Sequence, residues 1–298
     1  MADNFSRQTA QQRTYQKFAD LVGGNEKTID LARAALLIAS VAYPDLDPVP
    51  HFMHLAALAQ RVRLLLEKFR SEQSETSAPD TDHPLVLIHA LNQVLITEEH
   101  FHGNERDYYN PNNSFLNKVL EERTGLPITL SVLYMEVAKR AGIELEGVGF
   151  PHHFMVRYRW SEGSIYIDPF ANGELLNEAE CLERIQKMTQ RQHTINPRWL
   201  EALSSRKILI RMLNNLKSTY IGNEDFEHAL AISDMLLLLQ PKAGVEQRDR
   251  GFLHLELKHY GRAMHDLHGY LELHPDAKDR YEIRNHIKQI RQVIAQLN

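Results

Sequence analysis

The side chains best spaced for chemistry are His153, in "GVGFPHHFMVRY", and Asp168, in "YIDPF", 15 residues further on. A histidine held by a carboxylate is the base-and-orienter half of nucleophilic acyl transfer, which also needs a thiol or hydroxyl within reach of the ring. Such a nucleophile gains most at a helix N-terminus, where unpaired N–H groups and a positive partial charge stabilise a thiolate or an oxyanion. The stretch "GLPITLSVLYMEVAKRAG", Gly125 to Gly142, offers that terminus but contains no thiol. Thr129 and Ser131 are hydroxyls within one turn of Pro127, and the single cysteine, Cys181, lies in "NEAECLERIQKM". Helical hydroxyls tend to bond the preceding turn's carbonyl, and free cysteines tend to be small core fillers. Catalysis by a hydroxyl, or by Cys181, is therefore the competing reading. His153 and Asp168 have two further readings, a buried polar lock between strands and a ligand-binding pair.

Sixteen histidines raise a metal question, since His51/His54, His100/His102 and His265/His268 are close pairs. None lies in a recognised metal pattern, and H-E-x-x-H is absent, so solvated helix faces explain them and neither metal nor cofactor is expected. One cysteine excludes an internal disulfide and any multi-cysteine metal site.

The elements that must position these residues follow from periodicity. Apolar residues in "TIDLARAALLIASVAYP" and "VPHFMHLAALAQRVRLLLEKF" recur every three to four positions, so the first 72 or so residues read as helical. "RSEQSETSAPDTDHP" reads as an exposed loop, and "LVLIHALNQVLITEEH" as another helix. "RDYYNPNNSFLNKVLEERTG" reads as an Asn-rich loop feeding a short helix, with Asn or Ser as its N-cap. Tyr108, Tyr109, Asn113, Ser114 and Asn117 could line the same cleft as His153. In the following helix, Leu130, Leu133, Tyr134, Val137, Ala138 and Ala141 form one apolar stripe, and Ile128, Val132 and Met135 a second, so it should be buried on most sides. Pro127 suits its first turn and Gly142 its left-handed stop. From residue 144 the period shortens: "ELEGVGF", "HFMVRYRW" and "SIYIDPF" read as strands, the last two joined through a four-residue turn, "SEGS". Asn177 and Glu180 have the spacing of a capping pair for the next helix.

The C-terminal part repeats. "YIGNEDFEHALAISDMLLLLQP" set over "HLELKHYGRAMHDLHGYLELHP" matches Phe226 with Tyr260, Ala229 with Ala263, Leu239 with Leu273 and Pro241 with Pro275, each pair 34 residues apart. That is the tetratricopeptide period, helix–turn–helix with small residues where helices touch. Two repeats need support from flanking helices such as "SSRKILIRMLNNL" or "YEIRNHIKQIRQVIAQL".

Net charge is −5 and the pI about 6.3, which provides no basic footprint for a phosphate backbone, so nucleic acid is not an expected partner. No apolar run approaches the roughly 20 residues of a membrane span, and the start lacks a signal-peptide core, so no membrane association and a cytoplasmic location are expected.

The middle of the chain resembles a transglutaminase-like domain, in which a G-x-C opens a buried helix and a His strand and a D-P strand follow. On that resemblance His153 and Asp168 take the places of the family's His and Asp, and Pro127 takes the place of its cysteine. The run "YYNPNNSFLNKVLEERTGLPITLSVLYMEVAKRAGIELEGVGFPHHFMVRY" with "IDPFANGELL" further resembles the bacterial SirB-type family, associated with regulation of invasion gene expression. That family joins such a domain to C-terminal tetratricopeptide repeats. Where it has "GHF", this chain has His152-His153-Phe154. The resemblance implies a mainly helical α+β fold: residues 1–200 as a helical N-terminal part plus a papain/transglutaminase-like core with a small antiparallel sheet, and 201–298 as the repeat region. It also implies a non-catalytic adaptor or regulatory protein, with a vestigial His153–Asp168 pair and a protein or peptide docked on the repeats. The alternative is a cysteine-independent hydrolase or acyltransferase using Thr129 or Ser131 with His153.

Overall fold

The structure is a computed structural model that describes residues 2–73, 83–189 and 197–297. In chain order its elements are α1 (Ala2–Val22), α2 (Leu31–Ala39), α3 (Val49–Gln73), α4 (Pro84–Asn92), β1 (His102–Gly103), α5 (Leu116–Glu122), β2 (Thr124–Gly125) and α6 (Pro127–Ala141). There follow β3 (Glu146–Phe150), β4 (His153–Trp160), β5 (Gly163–Asp168), β6 (Glu174–Leu176), α7 (Glu178–Thr189), α8 (Ser205–Gly222), α9 (Phe226–Leu239), α10 (Gly244–Glu256), α11 (Tyr260–Leu273) and α12 (Arg280–Leu297). The expected mainly helical α+β class is what is observed. By packing, the chain forms two compact units interleaved in sequence: one of Glu26–Ala39 and Asp45–Met212, the other of Met1–Asn25, Ser40–Pro44 and Leu213–Asn298. Residues 74–82, within the stretch read as an exposed loop, lie outside the described residues, while Arg70–Gln73 continue α3.

The first unit is built around α6. Most of its two expected stripes is buried, Leu130, Val132, Leu133, Tyr134 and Val137 among them, while Met135 and Ala141 are half-buried, and α2, α3 and α5 pack against it. Each fully buried Leu or Val contributes about 1.5–3 kcal/mol relative to exposure. Pro127 opens the helix, and Gly142 closes it in the left-handed conformation.

The strands β3, β4, β5 and β6 form one antiparallel meander. Trp160 pairs with Gly163, so the β4–β5 turn has two residues, Ser161 and Glu162, rather than the expected four. The reason is that Gly163 and Ser164 are already extended and paired with Trp160 and Arg159. The β3–β4 turn is equally tight, since Phe150 pairs with His153 and only Pro151 and His152 are left to reverse the chain. His152 is exposed and adopts φ +60°, a left-handed conformation costly for a residue with a Cβ. His152→Gly is therefore expected to raise stability by about 0.5–1 kcal/mol, net of the extra freedom glycine adds to the unfolded chain. A thermal melt checks this; an unchanged or lower midpoint would contradict it.

The second unit carries the repeats, and the 34-residue period extends to the backbone. Phe226 and Tyr260 begin α9 and α11, and Leu239 and Leu273 end them. The residues before their caps, Glu224 and Lys258, share φ near +59° and +58°, and the C-caps Gln240 and His274 share φ −140° and −131°. Ala229 and Ala263 are fully buried where the helices meet. α12 lays Ile283, Ile287 and Ile290 against Ala263, Leu267 and Tyr270, and so covers the end of the array. α1 packs on α9, where the Tyr15 hydroxyl donates to the Ala231 carbonyl at 3.2 Å.

Between α9, α10 and α11 lies a cavity of about 360 Å³ lined by Leu230, Asp234, Arg250, His254, Arg262 and His265, with Asp266 and Gly261. Arg250 grips both Asp266 oxygens at 2.7 Å and reaches Asp234 at 2.8 Å. Burial pushes His254 down to about 4, against the pull of Asp266; Arg250, His259 and Arg262 add to the depression. In the unfolded chain His254 titrates near the ordinary 6.5, so stability is fully present above that pH and is lost as pH falls towards 4. The midpoint of helix unfolding should drop across that window, and His254→Phe should flatten the dependence. An equal slope in both proteins would remove His254 as the cause.

Candidate functional site

Strand register brings His153 and Asp168 together. Val156 pairs with Ile167, so alternation sends the His153, Met155, Tyr166 and Asp168 side chains to one face of the sheet. There Met155 and Tyr166 join Val148, Phe150, Cys181 and Ile185 in a closed apolar cluster under α7. His153 Nε2 lies 2.7 Å from Asp168 Oδ2, with the two residues 8% and 1% exposed. The other carboxylate oxygen accepts from the Phe170 and Ala171 N–H groups at 3.1 and 3.2 Å. Arg184, from α7, donates to Asp168 Oδ2 at 3.1 Å and to Glu174 at 2.6 Å. With Nε2 donating to this carboxylate, Nδ1 is the ring atom left to act, and it makes no hydrogen bond among the described residues.

The loop after Asp168 is pinned from below. Gly173 has φ +71°, and a Cβ there would sit 2.2 Å from Asn92 Oδ1; Asn92 donates to the Gly173 carbonyl at 2.8 Å and accepts from Tyr134 of α6 at 2.9 Å. Phe170 is thereby held edge-on to His153, with ring centroids 6.1 Å apart, and edge-on to Tyr108 at 6.2 Å. Gly103 makes room for it, because a Cβ at that position would lie 2.5 Å from the Phe170 ring.

The Asn-rich stretch works as a clamp. Asn110 caps the 3-10 turn Pro111–Ser114, not α5, whose N-cap is Phe115 with no side-chain bond. Buried Asn113 donates to the carbonyls of Asp107 and Tyr108 at 2.7 and 3.2 Å and accepts from Asn104 at 2.9 Å. Its own carbonyl receives the Leu126 N–H, which ties this loop to the start of α6. Ser114 Oγ and Asn117 Oδ1 are buried without partners.

The candidate nucleophiles are placed as follows. Pro127 is buried in the first turn of α6. Ser131 Oγ donates across to the Phe154 carbonyl at 3.5 Å, not to its own preceding turn, and buried Thr129 Oγ1 has no partner. Neither hydroxyl bonds His153. Cys181 is fully buried in the cluster under α7, and burial pushes its thiol up to about 12, with Arg184 opposing. Asn177 and Glu180 form the expected capping box that starts α7, with bonds of 2.7 and 3.0 Å. Among the described residues no three His, Cys, Asp or Glu side chains are grouped to hold a metal ion, and no helix is long and apolar enough to cross a membrane.

Four positioning residues escape sequence reasoning: Arg184, Phe170, Asn92 and Arg211. Arg211 donates to the Phe150 carbonyl and, at 2.6 Å, to that of His153, bracing the β3–β4 turn. None of the four carries a local signal, since each reaches the site from an element distant in sequence or through ring packing.

Comparison with known proteins agrees with this architecture. Residues 52–214 match the transglutaminase-like superfamily and residues 216–288 the tetratricopeptide repeat. A UPF0162 protein of Xylella fastidiosa (strain Temecula1) is 37% identical over 267 residues, covering 88% of this chain and 90% of its own. A UPF0162 protein of Vibrio cholerae is 26% identical over 249 residues, covering 83% and 87%. F-box only protein 21 of Mus musculus is 38% identical over 143 residues, 44% of this chain and 21% of that protein. No solved structure matches. A transglutaminase-like region around His153 and Asp168, tetratricopeptide repeats after it in the sequence, and relatives matched over nearly their whole length establish that the chain belongs to the UPF0162, SirB-type family.

Proposed function

We infer that the protein is a non-catalytic adaptor: its transglutaminase-like cleft keeps the His–Asp pair without a nucleophile, and its repeats dock a protein or peptide. The observation that carries this reading is the position of the only thiol. Cys181 lies in the closed core under α7 with its thiol pushed up to about 12, while α6 opens with Pro127, which has no group to attack or to shuttle a proton. The His153–Asp168 pair then serves as a lock between β4 and β5 and as a wall of the cleft. Helical repeats present successive side chains to an extended ligand, and the cavity bordered by exposed Arg262 and His265 offers a polar docking point.

The test combines reactivity and turnover. Native protein at neutral pH should resist thiol alkylation, and neither a glutamine-peptide–amine pair nor an activated ester should turn over above the His153→Ala background. Turnover that depends on His153 and vanishes in Ser131→Ala or Thr129→Val would instead establish the hydroxyl enzyme. Partner capture should survive His153→Ala and fail in Arg262→Glu; the reverse pattern would sink the adaptor reading.

A further inference from the structure

Most arginines that brace this fold are matched by carboxylates: Arg157 by Glu146, Arg184 by Asp168 and Glu174, Arg248 by Asp249 and Asp279, Arg250 by Asp234 and Asp266. Arg211 is not. It is partly buried, its Nη2 is spent on the carbonyls of Phe150 and His153, and its guanidinium lies over the Phe154 ring at 5.7 Å. No carboxylate pairs with it among the described residues. Burial disfavours its charge, and the one group opposing that is the Tyr108 phenol. Taking a cation out of water without a counter-charge is costly, so the site is electrostatically complementary to an anion that arrives from outside.

The groups around it are those an anion would use. Tyr108 is 37% exposed, within electrostatic reach of Arg211, and its hydroxyl makes no hydrogen bond among the described residues. Phe170 stands edge-on between Tyr108 and His153, and the Nδ1 of His153 is also unengaged. We propose that Arg211, Tyr108 and His153 form a carboxylate-binding site in the cleft, with Phe170 as its apolar wall. The Arg211 charge and its remaining Nη1 and Nε N–H groups suit a carboxylate, and the aromatic wall suits the carbon chain that carries it, whereas a fully hydrated phosphate has no use for that wall. This inference rests on the reading that the cleft binds ligand without turning it over.

The test is titration of the full chain with propionate, propionamide and inorganic phosphate, read at the His153 ring proton by NMR. Propionate is expected to shift that signal saturably, propionamide to leave it in place, and phosphate to act more weakly than propionate. Arg211→Gln should weaken propionate binding by at least about tenfold, the loss of a charge-assisted pair. Because Arg211 also braces the β3–β4 turn, Tyr108→Phe is the second variant, with the fold intact and binding reduced several-fold. No saturable shift, equal response to propionamide, preference for phosphate, or wild-type affinity in both variants would each overturn the proposal. Acyl transfer dependent on His153 would overturn the non-catalytic reading alone, since it leaves the Arg211 and Tyr108 effects on binding standing.

Discussion

Alanine at Asp168 is expected to lower the stability of its unit by about 3–5 kcal/mol, the cost of breaking a buried charged pair on one side only. One carboxylate here satisfies His153, Arg184 and two backbone N–H groups, and it is 1% exposed. Removing it leaves the imidazole and the turn that holds Phe170 without their partner, and leaves Arg184 with Glu174 alone. Asp168→Asn keeps an oxygen for the Phe170 and Ala171 N–H groups and loses the charge facing Arg184, so it should recover roughly half of the loss. Denaturant unfolding followed by tryptophan fluorescence is the suitable readout, because both tryptophans, Trp160 and Trp199, belong to this unit. A loss below about 1 kcal/mol for the alanine variant would mean that the network is solvated and contributes little.

The second large effect is expected in the repeats. Lys217 donates to Glu246 at 2.6 Å and to Asp249 at 3.3 Å, and Glu246 also accepts from the Ser233 hydroxyl. Lys217 and Glu246 are 7% and 5% exposed. Lys217→Met leaves the Glu246 charge buried with one neutral donor, at a cost of about 3–5 kcal/mol. Lys217→Met combined with Glu246→Gln should return to within about 1 kcal/mol of the parent, since removing both charges of a buried pair is close to neutral. Far-UV circular dichroism set beside tryptophan fluorescence is the readout, since this unit's elements are all helices and both tryptophans belong to the other unit. If the double variant is no more stable than the single one, packing of the Lys217 stem rather than charge pairing holds α8 to α10. Lys217 stands 34 residues before Gly251, so the pair fills with an ion bridge the place that the next repeat leaves to glycine.

How much was legible in the sequence divides along the range of the interactions. The capping box of Asn177 and Glu180, the proline entry and glycine exit of α6, and the period linking Phe226 to Tyr260 are set by residues within a few positions or one repeat of each other. The pairing of His153 with Asp168 was also readable, because a tight hairpin leaves little freedom in register once the apolar alternation is set. The turn lengths were not, since Gly163 and Ser164 look like turn residues and become strand only because β4 pairs with them. The start of α5 is not legible for a similar reason: Asn110 caps the 3-10 turn Pro111–Ser114 and Asn113 is spent on the carbonyls of Asp107 and Tyr108, so α5 begins at Phe115 with no side-chain cap.

By itself, then, the sequence determined the helices, the repeat period, the His153–Asp168 pair and the lack of a thiol at the head of α6, all properties of local pattern and chemistry. Only the tertiary structure decided that α1 packs with the repeats, that Cys181 is sealed on the inner face of α7, that Arg184 neutralises Asp168, and that Arg211 meets no carboxylate among the described residues. Those facts depend on which faces meet across long stretches of chain, and burial and charge pairing are set by that meeting, not by neighbours in sequence.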